Sequence, residues 1–93
     1  MSAVTWSRRA VAHLKAIREY VRKFNPAAAE STAERILEAV EAISSYPNIG
    51  ESDESGRRFA VSGTPYVIFY QVRDVVEIIA VLHGAQVFGA EGK

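Results

Sequence analysis

The side chains of this 93-residue chain that could move a proton, stack on a base or grip a phosphate are few: His13, His83, Tyr66, Tyr70 and the adjacent Arg57 and Arg58. His83 stands alone at the end of an apolar run with no carboxylate motif beside it, which favours a structural role over acid–base work. His13 lies among Arg8, Arg9 and Lys15 and reads as a solvated residue of a charged helix face. Two isolated histidines make no metal site, and with no cysteine there is no thiol nucleophile, thiolate site or disulfide. Tyr66 and Tyr70, four positions apart and so on one face of a strand, fit half-buried sheet aromatics better than base-stacking platforms. Arg57 and Arg58 fit either a phosphate or carboxylate clamp or, more plainly, a solvated edge strand. No cofactor and no catalytic residue is expected from this set.

The element that must position these residues is the run YVIFYQVRDVVEIIAVL, Tyr66 to Leu82, rich in β-branched and aromatic residues. Its arms Tyr66–Val72 and Val75–Leu82 flank Arg73-Asp74, a link that suits a tight antiparallel turn. With Val72 opposite Val75, one face carries Tyr66, Ile68, Tyr70, Ile79 and Val81, and the other carries Val67, Phe69, Ile78, Ala80 and Leu82. Both faces are apolar, so both need a cover.

Upstream, Val4-Thr5-Trp6 reads as a short strand and Ser7 as the cap of a first helix, whose stripe is Ala10, Leu14, Ile17 and Val21 widened by Val11 and Phe24. Asn25-Pro26 separates it from a second helix with a stripe of Ala29, Ala33, Ile36, Val40 and Ile43 and Leu37 beside it. The connection is so short that the two must form an antiparallel helical hairpin. Tyr46-Pro47-Asn48-Ile49-Gly50 ends the second helix, Glu51 to Gly56 reads as a mobile acidic loop, and Arg57 to Val61 as a short strand. The order β-α-α-β-β-β makes one α+β domain over residues 1–93, with the helical hairpin on one face of a small, mostly antiparallel sheet. A tail of about ten residues through Val87-Phe88 is too short to cover the other face. An uncovered apolar face marks an oligomer interface or a partner site.

Eleven basic and eleven acidic residues cancel, which weighs against autonomous nucleic-acid binding. They are segregated, however: residues 1–24 carry six cations against Glu19, and residues 25–56 carry seven carboxylates against Arg35. The basic face of helix one, Arg18 and Arg22 included, suits an acidic partner segment. The apolar content of 48% is that of a globular chain. No stretch reads as a leader or a membrane span, and a cytoplasmic location is the expectation.

Element order, length, the Trp6-Ser7 start, the Tyr46-Pro47-x-x-Gly50 break, GTPYVIFYQV at Gly63–Val72 and VLHGA at Val81–Ala85 together resemble the ParE branch of the ParE/RelE toxin superfamily. The resemblance spans nearly the whole chain and implies the toxin of a bacterial type II toxin–antitoxin pair, associated with plasmid stabilisation and growth inhibition and neutralised by a ParD-like antitoxin that wraps over it. RelE-like members cut messenger RNA with basic and aromatic groups. The places where that branch keeps two arginines hold Val67 and Gln86, and the C-terminal tyrosine or histidine of that branch is missing before the chain ends. ParE-like members bind DNA gyrase instead, and this branch is favoured, with RelE-like ribosome-dependent cleavage as the alternative; the ParE branch usually has arginine where this chain has Gln86. The implied antitoxin contacts are Arg18, Arg22, Tyr66, Ile68, Tyr70, Ile79 and Val81. The implied target contacts are Arg57, Arg58, His83 and Gln86. Homodimerisation through the same apolar face is the rival expectation from a different class.

Overall fold

The computed structural model describes residues 2–86. Strand β1 (Val4–Trp6) leads into helices α1 (Arg8–Arg22) and α2 (Pro26–Ser45), followed by strands β2 (Glu51–Asp53), β3 (Gly56–Ala60), β4 (Tyr66–Val72) and β5 (Val76–His83). The five strands form one sheet in the order β1-β5-β4-β3-β2. Among the described strands only β1 and β5 run parallel; the helical hairpin and three strands between them in sequence provide the long crossover such a pair requires.

Both helix starts follow from their caps. Ser7 Oγ accepts from the Ala10 N–H at 3.0 Å, and Asn25 Oδ1 accepts from the Ala28 N–H at 3.1 Å with Pro26 in the first turn. Ala10 and Ile17 of α1 are buried together with Ala29, Ala33, Ile36, Ala39, Val40 and Ile43 of α2. Leu14 and Val21 pack against that core from its margin. Val11 and Phe24 do not widen the stripe: they are 39% and 73% exposed, and Leu37 is exposed as well. Arg18 reaches across the hairpin to Glu30, with Nη2 2.9 and 3.2 Å from the two carboxylate oxygens, so the basic and acidic helix faces do meet at this point.

Two features correct the sequence-based expectations. Glu51 to Gly56 is not a loop but most of a hairpin, β2 paired with β3. Its turn is set by Asp53 Oδ1, which accepts from the Ser55 N–H at 2.8 Å, and by Gly56 at φ +135°, a conformation that disfavours any side chain. The hydrophobic pattern could not announce β2, because all three of its residues are exposed.

The second correction concerns the central hairpin. Its link has three residues, since Val72 pairs with Val76, and a bulge falls between Phe69 and Tyr70, where Phe69 pairs with Ala80 and Tyr70 with Ile78, leaving Ile79 as the extra residue. Beside the turn, Val76 and Ile78 therefore join Tyr70 on one face; beyond the bulge, Val81 joins Ile68. That face looks onto the helices. Tyr66, Ile68, Tyr70 and Val81, expected outward, are only 8%, 0%, 1% and 2% exposed and lie in the core cluster with Ile17, Ile36 and Ile43. The opposite face carries Val67, Phe69, Ala80 and Leu82. The residues 87–88 of the expected tail lie outside the described residues.

Candidate docking surface

On the sheet face away from the helices, cross-strand pairing lines up two rows: Arg58, Phe69 and Ala80 in one, Ala60, Val67 and Leu82 in the other. Phe69, Ile79 and Leu82 are only half-buried. Arg9, in the first turn of α1, closes one end, and the result is a groove of about 310 Å³ with an apolar floor of Phe69, Ile79, Ala80 and Leu82 between Arg9 and the Arg57-Arg58 strand. Arg58 lies opposite Glu51 across the β2–β3 ladder, Nε 3.8 Å from its carboxylate. Such a groove can bury apolar side chains of a partner while guanidinium groups receive carboxylates at the edges.

As acid–base machinery the groove is poor. Its described lining includes no histidine and no lysine. The Tyr70 hydroxyl is committed elsewhere, donating to Pro47 O at 2.8 Å and accepting from the Gly50 N–H at 2.9 Å. Asp53 is the one carboxylate, and its Oδ1 holds the β2–β3 turn. Arg57 spends Nη1 on the carbonyls of Gly50 at 2.7 Å and Asn48 at 3.3 Å, fixing the loop after α2. Val67 is 5% exposed.

His83 and Gln86 lie at and just after the C-terminal end of β5. The side chains of both cap a short helical turn at residues 84–86: Gln86 Oε1 accepts from the His83 backbone N–H at 3.0 Å, and His83 Nδ1 accepts from the Ala85 N–H at 3.0 Å. The Tyr66 ring stands edge-on to the His83 ring with centroids 5.6 Å apart. Arg57 and Arg58 thus share the groove, whereas His83 and Gln86 lie in a second cleft of about 520 Å³ with His13, Tyr20 and Tyr66. Leu82 borders both. Arg18 and Arg22 lie on α1 outside either depression and pair with Glu30 and Glu19.

His13 is not the solvated residue its charged neighbours suggested. Strand β1 accompanies β5 only as far as Ile78, and beyond that point α1 takes over its edge. Ser7 Oγ donates to Ile79 O at 2.8 Å, and His13 Nδ1 accepts from the Val81 N–H at 3.1 Å. Burial, and then the positive charge of Arg9, hold the His13 imidazole below its usual range. Helical spacing carried the missed clue: His13 is three residues after Ala10 and four before Ile17, on the flank of the buried stripe.

Among known proteins, the family model described as the ParE toxin of the type II toxin–antitoxin system parDE matches residues 4–88. Toxin RelE2 of Caulobacter vibrioides is 39% identical over 87 residues, covering 92% of this chain and 99% of that protein. A chain from the chromosomal ParDE toxin–antitoxin system of P. aeruginosa superposes with a TM-score of 0.79 at 21% identity, over 89% of this chain and 96% of that one, and so has the same fold. Sheet order, helical hairpin and sequence agree: the chain belongs to the ParE toxin family of type II toxin–antitoxin systems.

Proposed function

We propose that the chain is held by a ParD-like antitoxin lying in the groove over Phe69, Ile79 and Leu82, and that, once released, it acts by binding a protein target, DNA gyrase, in the cytoplasm, and not by cutting RNA. The observation that carries this reading is the chemistry of the groove: an apolar floor with arginine at its edges and, among its described lining residues, no histidine or lysine and a single carboxylate, Asp53, that holds the β2–β3 turn. Cleavage through a 2′-hydroxyl also needs donors that offset charge on the phosphate. At the two positions where the RNA-cutting branch supplies arginines, Val67 is packed into the sheet and Gln86 caps a helical turn.

Of the antitoxin contacts implied by the family resemblance, Ile79 and Tyr70 line the groove, Tyr70 with its hydroxyl already committed to Pro47 and Gly50, while Tyr66 and Val81 line the adjoining cleft. Arg18 and Arg22 contribute to this proposal as charges that steer an acidic partner and set the association rate. Gyrase is suggested by the resemblance to the ParE branch and by the match to the ParE family model. The test is to induce the chain without its antitoxin and follow two readouts in parallel. Gyrase-dependent DNA breaks with intact translated messages are expected. Ribosome-dependent cuts in messages that disappear in an Arg58→Ala variant would replace this proposal with the ribonuclease alternative.

A further inference from the structure

The cleft at the end of β5 differs in kind from the groove it adjoins. Its described lining, His13, Ala16, Ile17, Tyr20, Tyr66, Val81, Leu82, His83, Ala85 and Gln86, contains no Asp, Glu, Lys or Arg. Both imidazoles use Nδ1 to accept a backbone N–H, from Val81 in one case and from Ala85 in the other. A neutral imidazole that accepts at Nδ1 carries its proton on Nε2. Each ring therefore keeps an N–H donor at Nε2, the atom a metal ion would need bare.

Tyr66 supplies the second observation. The residue is 8% exposed, yet no hydrogen bond engages its hydroxyl among the described residues. Nor is that hydroxyl sealed in: the one sealed, unpartnered side-chain polar atom among the described residues is Arg18 Nε. The hydroxyl therefore opens on the cleft. Burial, with the neighbouring Tyr20 phenol adding to it, raises the Tyr66 ionisation above its usual range, so the hydroxyl stays a donor throughout the physiological pH range.

We propose that this cleft receives a short uncharged segment of the antitoxin, continuing from the groove across Leu82, with a carbonyl of that segment accepting from the Tyr66 hydroxyl. The inference rests on the groove being the antitoxin site. Continuity at Leu82 supplies the path. The absence of formal charge in the lining selects the occupant, because a charged group entering it would give up hydration with no counter-charge to receive it. An apolar side chain, in contrast, gains from burial against Ile17, Val81 and the faces of Tyr20 and Tyr66.

Tyr66→Phe isolates the claim, since it deletes a hydroxyl that has no hydrogen-bond partner among the described residues and keeps the ring. The variant should melt within about 1–2 °C of the parent and bind the cognate antitoxin about three- to tenfold more weakly, the effect of one lost hydrogen bond. On binding, ¹⁵N spectra of labelled histidine should show the Nε2 resonances of His13 and His83 shifting. Phe69→Ala in the groove is the companion variant. If Phe69→Ala weakens binding while Tyr66→Phe and the histidine resonances are unmoved, the cleft proposal is overturned and the groove stands. If neither variant changes binding, both fail together.

Discussion

Tyr70 and Gly50 are locked against each other. The phenol oxygen of Tyr70, 1% exposed under the helices, accepts from the Gly50 N–H at 2.9 Å and donates to Pro47 O at 2.8 Å. A Cβ at residue 50 would stand 2.7 Å from that oxygen and 2.7 Å from Arg58 O. The Tyr-Pro-x-x-Gly break after α2 and the second tyrosine of the central strand are therefore two halves of one clasp, and Arg57 adds a third hold through the Gly50 carbonyl.

Tyr70→Phe leaves the part-buried Pro47 carbonyl and the buried Gly50 amide without their partner and should cost about 1–3 kcal/mol of unfolding free energy in urea. Gly50→Ala should cost a similar amount through the clash. Because both act on the same clasp, the double variant should lose clearly less than the sum of the two single losses. Strict additivity would show that the clasp is not a unit.

His13 makes stability depend on pH. Its folded-state pKa lies below the ordinary value of 6.5, held down first by burial and then by Arg9. The unfolded chain thus takes up the proton more readily, so this contribution is fully present above about pH 6.5 and is lost as the pH falls through the folded-state pKa. Urea midpoints should decline from pH 7 towards pH 5, and His13→Gln should flatten the decline. An identical decline in the variant would place the titration elsewhere.

Much of this architecture was legible in the sequence, for identifiable reasons. The stripes Ala10-Ile17 and Ala29-Ala33-Ile36-Val40-Ile43 repeat at helical spacing, and Ser7 and Asn25 have side chains that cap helices. An apolar central hairpin with one helical cover also led to the expectation of a sheet face left over. Which face it was could not be read. Alternation is strict only in an unbroken ladder, and the bulge at Ile79 with the three-residue link shifts β5 twice, so that Val81 falls where an unbroken count would put it while Ile78 and Ile79 exchange places. Strand β2 was hidden because an exposed acidic strand has no apolar period to detect. The roles of His13 and Gln86 depend on contacts with β5 backbone amides at Val81 and His83, a kind of partnership that side-chain patterns do not encode.

The central claim is that the working surface is the sheet face away from the helices. Methyl-labelled NMR of the chain titrated with its cognate antitoxin tests it most directly, because isoleucine, leucine and valine methyls sit on every surface in question. The largest shifts should fall at Ile79 and Leu82 on the groove floor, while Ile36, Ile43 and Ile68 in the core change little. Shifts centred on Val11 and Leu37, the exposed apolar residues of the helices, with Ile79 and Leu82 unmoved, would contradict the account.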